Sequence, residues 1–218
     1  GDKSGKISFT TTVVSGKGDQ SDPKTTIVFY RSHFGSFGNF VEQLLLNRKA
    51  SKNDEIVIQS DLSTTNLVVN DEILNRISVK YAGCASHARR PFAQNENDDP
   101  QLQVILNDFS RIFGYEQGLQ ITGRNFENVL AVRQGHSFKV WESIKEQCQE
   151  LTEKWSPKTP IGDGARYIIN HFKKLTYYTE DPRISISNNF SERMVRMENI
   201  IEDNALFRQT IEGRVALD

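Results

Sequence analysis

Three residues near the carboxyl end of the chain have side chains that could do chemistry. In the stretch "NNFSER", Asn188 and Asn189 are followed by Glu192, at a point where an extended stretch is expected to turn into a helix. One interpretation is a helix cap on a solvated surface, since asparagine side chains accept hydrogen bonds from the free N–H groups of a helix start. The other is a catalytic carboxylate with its positioning groups. These residues alone leave both interpretations open.

A second candidate carboxylate, Asp61, ends the compact apolar stretch "EIVIQSD". This stretch has strand character and follows a predicted hairpin and a crossover helix. Asp61 therefore falls at the carboxyl end of a central strand, where open α/β sheets keep their sites. An acid in this position could also be a simple strand-end cap.

The elements before residue 85 alternate between strand and helix. β-Branched and aromatic residues in "KISFTTTVV" and "TTIVFY" predict an antiparallel hairpin over residues 6–14 and 25–30. Apolar residues at helical spacing predict a short helix over residues 37–48. After the strand that ends at Asp61, a second crossover through "NDEILNR" leads to another strand over residues 77–83.

The middle of the chain is predicted to be helical. Apolar residues at helical spacing predict one amphipathic helix over residues 99–114 and a second apolar seam over residues 141–155. "SPKTP" interrupts the pattern before a third helix. The stretch "RISIS" (183–187) returns to strand character, and a helix is predicted to begin near Asn189. The order of elements indicates one α/β core interrupted by a helical insertion.

The composition excludes several classes of protein. The 218 residues carry a formal net charge of -1, so the chain lacks a basic excess, and any nucleic-acid contact must rest on local patches. Cys84 and Cys148 are too few and too far apart for a disulfide framework or a zinc site, which favours a reducing compartment. No apolar run approaches the roughly 18 residues that span a membrane. We therefore expect a cytoplasmic protein with no membrane partner.

Several motifs, taken together, resemble those of transposases of the insertion-sequence sixty-six family. "AGCASHARRPF" (82–92) is similar to that family's Ala-Gly-Cys-x-x-His-Ala-Arg-Arg-x-Phe signature. The stretch 156–196 resembles the longest family signature, which runs from a proline-rich entry through a helix to Asn-Asn-x-x-Glu-Arg. "IVIQSD" stands where the family has a strand ending in Gln-Thr-Asp, and "LF" (206–207) lies at the family's distance beyond the glutamate. The order and spacing of these motifs make the match specific.

The resemblance implies an α/β, ribonuclease H-like fold, in which a mixed sheet carries an inserted all-helical region between the second and third catalytic acids. We expect residues 1–85 to form the first part of this core without its first strand, residues 86–180 the insertion, and residues 181–218 the closing part. The implied function is that of a DDE-type DNA transposase, which performs Mg²⁺-dependent cleavage and strand transfer at transposon ends. The implied partners are transposon-end DNA, target DNA and further copies of the chain.

The resemblance also implies a role for each candidate at the site. In this interpretation Asp61 is the second catalytic acid and Glu192 the third, and both bind metal. Asn188 and Asn189 position the glutamate or a phosphate, while Arg193 supports the site. Clustered acids suit this chemistry because two Mg²⁺ (or Mn²⁺) ions, about 3.5 to 4 Å apart, activate the attacking oxygen and stabilise the leaving oxygen.

Four further residues are candidates for DNA contact: His87, Arg89, Arg90 and Arg196. "HARR" could be a helix start whose arginines contact phosphates, while His87 could equally be a structural histidine. Arg196 stands four residues after Glu192, so on a helix these two could instead form a weak surface ion pair.

The chain departs from the family pattern at several positions. The family's first catalytic aspartate lies on a strand before the hairpin, so we expect it upstream of Gly1 and expect these 218 residues alone to be inactive. Leu62 stands where the family usually has glycine, which weighs against close approach of substrate. Met197, Glu202 and Asp203 replace a proline and a basic pair. These departures leave open a degenerate, non-catalytic DNA-binding or assembly module, and more weakly another ribonuclease H-like nuclease.

Overall fold

The computed structural model describes residues 7–15, 26–34, 37–47, 55–64, 67–122 and 125–193. These residues form a mixed α/β structure that is mostly helical. Contacts divide the chain into two compact units: the first draws on segments 1–58, 62–80 and 188–218, and the second comprises residues 59–61 and 81–187. The three-part division predicted from the sequence stays a prediction.

A β-hairpin opens the described part of the first unit. Strands β1 (Ile7–Ser15) and β2 (Thr26–Phe34) pair antiparallel, with Ile7 opposite Phe34 and Ser15 opposite Thr26. Their β-branched and aromatic residues suit an extended backbone, because such side chains pack well on a pleated surface. The predicted hairpin is confirmed.

Two short helices of the first unit are tied together by one carboxylate. Glu42 lies in α1 (Phe37–Leu46) and accepts hydrogen bonds from the backbone N–H groups of Val69 at 2.7 Å and Asn70 at 2.9 Å. Asn70 in turn caps α2 (Asp71–Arg76), since its side-chain oxygen accepts from the N–H groups of the first turn. The helix predicted over residues 37–48 is confirmed, and the predicted crossover through "NDEILNR" contains α2.

A second pair of strands carries the first candidate acid. Strand β3 (Glu55–Ser60) pairs with β4 (Ser78–Gly83) in a small parallel sheet, and the crossover between them contains α2. Both strands were predicted. Asp61 follows directly after β3, so it lies at the edge of the sheet where the carboxyl ends of the two parallel strands meet.

The second unit is built mainly from helices. In chain order these are α3 (Ala85–Gln94), α4 (Pro100–Thr122), α5 (Phe126–Val132), a π-helical turn (Arg133–Ser137), α6 (Phe138–Lys154), α7 (Pro160–Thr176) and a 3₁₀ turn (Tyr177–Thr179). The predicted helical region is confirmed, although α4 continues well past residue 114. None of the helices in the described ranges is both long and apolar enough to cross a membrane.

Aromatic side chains form the centre of this helical unit. Phe109 of α4 lies between Phe92, whose ring centroid is 6.4 Å away, and Trp141, which meets it edge-on at 5.6 Å. The indole N–H of Trp141 donates to the hydroxyl of Tyr178 at 3.1 Å. All four side chains are almost fully buried, so this cluster holds α3, α4, α6 and the 3₁₀ turn after α7 together.

Helix α7 begins and packs as its sequence dictates. The Thr159 side chain caps it by accepting from the N–H of Gly162 at 3.1 Å, and Pro160 occupies the first turn, where its missing N–H is not needed. Gly164 lies against α3 so closely that a Cβ atom there would be 2.9 Å from the Cβ of Pro91. Only glycine permits this close approach of α3 and α7.

The prediction of a strand over residues 183–187 is wrong. Residues 181–188 have no helix or strand structure, and two of their carbonyls accept hydrogen bonds that do not belong to a strand ladder. The carbonyl of Ile186 accepts from the N–H of Ala85, and the carbonyl of Ser185 accepts from the Gln59 side chain. The alternation in "RISIS" reflects the burial of Ile184 and Ile186 in this irregular segment.

Candidate active site

The backbone of Asp61 is held in place by a tyrosine from the helical region. The hydroxyl of Tyr167, in α7, donates a hydrogen bond to the backbone carbonyl of Asp61 at 2.9 Å. Burial raises the pKa of Tyr167, with smaller contributions from Cys84 and Asp61, so the phenol stays protonated and remains a donor. Asp61 as a residue is half-buried.

The start of α3 and the segment before Asn188 meet the same edge of the sheet. The Gln59 amide donates to the carbonyl of Ser185 at 2.5 Å, and the N–H of Ala85 donates to the carbonyl of Ile186 at 3.0 Å. Gln59 therefore connects the strand that ends at Asp61 to the segment that leads to Asn188. Its side-chain oxygen is buried without a hydrogen-bond partner.

Leu62 has an unusual backbone conformation. Its φ is +60°, and it is the non-glycine residue with positive φ in the described ranges. This left-handed region costs an L-residue about 1 kcal/mol or more but costs glycine nothing. The turn directly after Asp61 thus has a conformation that suits the glycine usual at this position in the resembled family.

The three predicted DNA contacts of the "HARR" motif lie on α3, in the same unit as Asp61. Arg90 is exposed, while His87 and Arg89 are half-buried. The alternation follows from the amphipathic helix, whose buried face contains Ala88 and Phe92. The exposed guanidinium of Arg90 is therefore accessible to a phosphate, whereas the role of His87 stays open.

The asparagine and glutamate group lies in the first unit. A helical turn covers residues 189–193, and its first backbone bond joins the N–H of Glu192 to the carbonyl of Asn188 at 3.1 Å. The predicted start near Asn189 is confirmed. The side-chain oxygen of Asn188 is buried and has no hydrogen-bond partner, so this residue does not act as a side-chain helix cap.

Other members of this group are more open to solvent. Asn189 and Arg193 are exposed, and Glu192 is half-buried. Arg196 lies outside the described residues, as do Met197, Glu202, Asp203 and the motif at 206–207. Asp61 belongs to the second unit and Glu192 to the first, so the predicted approach of their carboxylates stays a prediction.

A buried ion pair supports the segment that leads to Asn188. Arg133 is fully buried, and its guanidinium donates to both carboxylate oxygens of Glu116 at 2.7 Å. The same guanidinium donates to the carbonyls of Tyr178 at 2.7 Å and Asp181 at 3.1 Å. Arg133 thereby fixes the end of the helical region, because buried charges require such complete pairing.

A turn follows this anchor. The carboxylate of Asp181 accepts three kinds of hydrogen bond from Arg183, from its backbone N–H at 2.9 Å, from Nε at 2.9 Å and from Nη2 at 2.6 Å. The N–H of Ile184 closes the turn on the carbonyl of Asp181 at 3.2 Å. The chain therefore reaches Ile186 and Asn188 along a defined path.

Comparison with known proteins tests the family resemblance of these motifs. The family model described as "Transposase IS66 family" matches residues 12–216. The chain belongs to this family.

Three curated relatives of this family member come from Sinorhizobium fredii (strain NBRC 101917 / NGR234), each named as an uncharacterized protein. Protein y4jD is 23% identical over 141 residues, which cover 64% of this chain and 27% of the relative. Protein y4qI is 24% identical over 130 residues, which cover 60% of this chain and 24% of the relative. Protein y4hP is 23% identical over 151 residues, which cover 63% of this chain and 27% of the relative. The chain thus spans about a quarter of the length of these relatives. No solved structure matches it.

The residues that the resemblance assigns to metal binding are oxygen donors in two different units, Asp61 in the second and Asn188 and Glu192 in the first. Mg²⁺ prefers carboxylate and amide oxygens, and Asp61, Glu192 and the buried amide oxygen of Asn188 are donors of this kind. Within the described ranges, His, Cys, Asp and Glu side chains form no group of three or more that could hold a metal ion. The fit therefore rests on the chemistry of the donors.

Sequence reasoning missed Tyr167, Gln59 and the Arg133–Glu116 pair. The sequence did contain a signal for the ion pair. Glu116 comes four residues after Ile112 and three before Leu119, so it lies on the apolar face of α4. A charge on such a face predicts a buried partner. Tyr167 carried no comparable signal, since its partner is a backbone carbonyl more than 100 residues earlier.

Proposed function

We propose that the chain is the catalytic region of a DDE-type DNA transposase with a ribonuclease H-like core. It would cleave phosphodiester bonds at transposon ends and transfer the freed strands to target DNA. The observation that carries this proposal is the placement of Asp61, in a chain of the IS66 family. This acid directly follows β3 at the carboxyl edge of a parallel strand pair, and Tyr167 fixes its backbone.

In this proposal Asp61 and Glu192 hold the catalytic Mg²⁺ or Mn²⁺ ions. When bound, two such ions supply charge stabilisation for the attacking and leaving oxygens of the phosphodiester. Asn188 and Asn189 position Glu192 or a phosphate. Support for Asn188 in this role comes from its buried side-chain oxygen, which accepts no hydrogen bond and so is available as a ligand.

The remaining residues would position the acids and the DNA. Tyr167 fixes the main chain at Asp61, while Arg133 fixes the start of the segment that leads to Glu192. Arg89 and Arg90 would contact phosphates, together with Arg193, Arg196 and, less directly, His87. Such contacts must be local because the chain has a net charge of -1. The active complex would contain several copies of the chain.

The competing function is a non-catalytic DNA-binding or assembly module derived from a transposase. The two functions differ in what the acids do, because a binding module has no need of ionised Asp61 or Glu192. Neutral Asn or Gln at these positions would leave such a module intact, whereas it would remove metal ligands from an enzyme.

A transposition assay in cells distinguishes these functions. A selectable marker flanked by the ends of the element that carries the gene is supplied together with the complete protein that the gene encodes. We expect Asp61→Asn and Glu192→Gln each to lower transposition by at least about 100-fold, since each removes a metal ligand. Asp163→Asn, which neutralises an exposed acid on α7, is the matched control and should transpose normally. Normal transposition by the Asp61 variant would contradict the proposal.

A further inference from the structure

A small pocket in the second unit is lined by residues of α4, the π-helical turn and α6, none of which is assigned to the candidate active site. Its volume is about 220 Å³, and its lining includes Arg111, Tyr115, His136, Lys139 and Ser143. We propose that this pocket, named here the insertion pocket, binds a backbone phosphate of DNA. The inference rests on the proposed function and adds a DNA contact on the helical region, separate from the arginines of α3.

The guanidinium of Arg111 is fixed at one side of the insertion pocket. It donates to one oxygen of Asp108 at 2.9 Å, and the other oxygen of Asp108 accepts from Ser143 at 3.0 Å and Gln147 at 2.9 Å. Asp108 is nearly buried, whereas the Arg111 side chain is 58% exposed. The acid is therefore committed to partners within the protein, and the guanidinium keeps further N–H donors for a ligand.

The π-helical turn places the second basic group. Arg133 and Ser137, at the two ends of the turn, are fully buried, while His136 between them is exposed. The ring of His136 lies 5.5 Å from the ring of Tyr115. A π-turn changes which residues face inward, so Arg133 can reach Glu116 while His136 remains at the pocket. Such turns occur often at functional sites.

Lys139 follows on the first turn of α6 and is exposed. Arg111 and Lys139 place two positive charges at the pocket, whereas Asp108 carries one negative charge that is already paired with Arg111. A Cβ atom at Gly135 would meet nothing within 4 Å, which leaves open space beside these side chains. The donors and the small volume suit a phosphate, because Arg and Lys form charge-assisted hydrogen bonds with phosphate oxygens.

DNA is the expected source of this phosphate because the chain belongs to a transposase family, whose substrate presents phosphates at regular spacing. A contact of this kind positions the duplex without reading its sequence. Free phosphate shares the chemistry but lacks the neighbouring phosphates that Arg90 and other exposed cations could bind at the same time. DNA should therefore bind far more tightly than inorganic phosphate.

The test compares DNA binding by the 218-residue chain and two variants. The first variant carries His136→Ala and Lys139→Ala, and the second carries Lys158→Ala, which removes an exposed lysine from the turn before α7. Binding is measured by fluorescence anisotropy with a labelled duplex between about 50 and 200 mM salt, a range in which phosphate contacts make affinity strongly dependent on salt. Circular dichroism confirms that each variant is folded.

We expect the variant with His136→Ala and Lys139→Ala, the pocket variant, to bind every duplex more weakly than the parent chain. The slope of the logarithm of the binding constant against the logarithm of the salt concentration should become shallower by about one for each lost phosphate contact. The Lys158 variant should match the parent chain, and inorganic phosphate at equal ionic strength should compete poorly. Equal binding by parent and pocket variant, an equal loss in the Lys158 variant, or no DNA binding by the parent would overturn the inference. The inference would also be overturned if an acidic protein displaced the duplex from the parent chain but not from the pocket variant.

These outcomes are separable from a failure of the proposed function. If the pocket variant binds normally while Asp61→Asn abolishes transposition, only the pocket assignment is wrong. If the pocket variant loses binding while Asp61→Asn transposes normally, only the catalytic assignment is wrong.

Discussion

The hydroxyl of Tyr167 in α7 donates a hydrogen bond to the backbone carbonyl of Asp61, although the two residues are 106 positions apart. The helix that carries Tyr167 also packs closely against α3 at Gly164 and Pro91. The helical region is therefore part of the support of the candidate acid. A change in α7 that removes this hydrogen bond should loosen the main chain at Asp61.

Replacement of Tyr167 by Phe should remove that bond and little else. The free energy of unfolding should fall by about 0.5 to 1.5 kcal/mol, as for a typical buried hydrogen bond. Urea denaturation measures the change. Because the acceptor is the backbone carbonyl, the same loss should occur in an Asp61→Asn background. A loss that disappears with Asp61→Asn would show that the phenol acts through the carboxylate instead.

At position 62 a glycine variant should be more stable than an alanine variant, the opposite of the order expected in a helix. Both Leu62→Gly and Leu62→Ala remove a side chain that is 5% exposed, which costs about 2 to 5 kcal/mol. At φ of +60° the glycine variant should nevertheless be more stable than the alanine variant, by about 1 kcal/mol.

Leu45 is the control for this comparison, since it is similarly buried but lies within α1. At this helical position alanine should be more stable than glycine by about 1 kcal/mol. If thermal or urea unfolding gives the same order at both positions, the left-handed backbone after Asp61 is not a real constraint.

The Arg133–Glu116 pair should be costly to break on one side. Arg133→Ala or Glu116→Gln should each destabilise the chain by about 3 to 5 kcal/mol, because each leaves a buried group without its partner. Replacement of both by apolar residues of similar size should cost clearly less than the sum of the single changes. Strictly additive losses in a double-mutant cycle would contradict the coupling.

The stability of the chain in acid should depend on Asp181. Burial alone would raise the pKa of Asp181, but hydrogen bonds from Arg183 and the charges of Arg183 and Arg133 hold it below its ordinary value of 3.8. A carboxylate with a lowered pKa in the folded state adds stability above its unfolded pKa and loses it as the pH falls through the folded pKa.

The contribution of Asp181 should therefore be complete at neutral pH, begin to fall near its ordinary pKa of 3.8, and vanish only below the lower pKa of the folded state. Urea unfolding at several pH values should show the parent more stable than Asp181→Asn at pH 7, with the difference shrinking in acid. A difference that stays constant between neutral pH and pH 3, on the order of one unit below the ordinary pKa, would refute this account.

Much of the fold could be predicted because periodicity is a local property. The hairpin, α1, both parallel strands and the long amphipathic helices follow from spacing of apolar residues, and each was found. The segment 183–187 could not be predicted correctly from its alternation. Two buried isoleucines give the same pattern in a strand and in an irregular segment, and the bonds from Gln59 and Ala85 that fix the segment come from distant residues.

The candidate site was predictable only in part for the same reason. The position of Asp61 after a strand and the helix start near Asn189 are local features, and both were found. The unused side-chain oxygen of Asn188 and the phenol that holds Asp61 depend on tertiary packing. The assignment of metal ligands and DNA contacts to individual residues stays a prediction.

The central claim is that Asp61 binds a catalytic metal ion, and a metal-switch assay tests it most directly. The complete protein and its Asp61→Cys variant are purified and assayed for cleavage at the ends of the element, with Mg²⁺ or Mn²⁺. Mg²⁺ requires hard oxygen ligands, whereas Mn²⁺ tolerates a sulfur ligand better. The account predicts that Asp61→Cys loses cleavage in Mg²⁺ and regains part of it in Mn²⁺, while Asp163→Cys behaves like the parent. Equal cleavage by Asp61→Cys and the parent in both metals would contradict it.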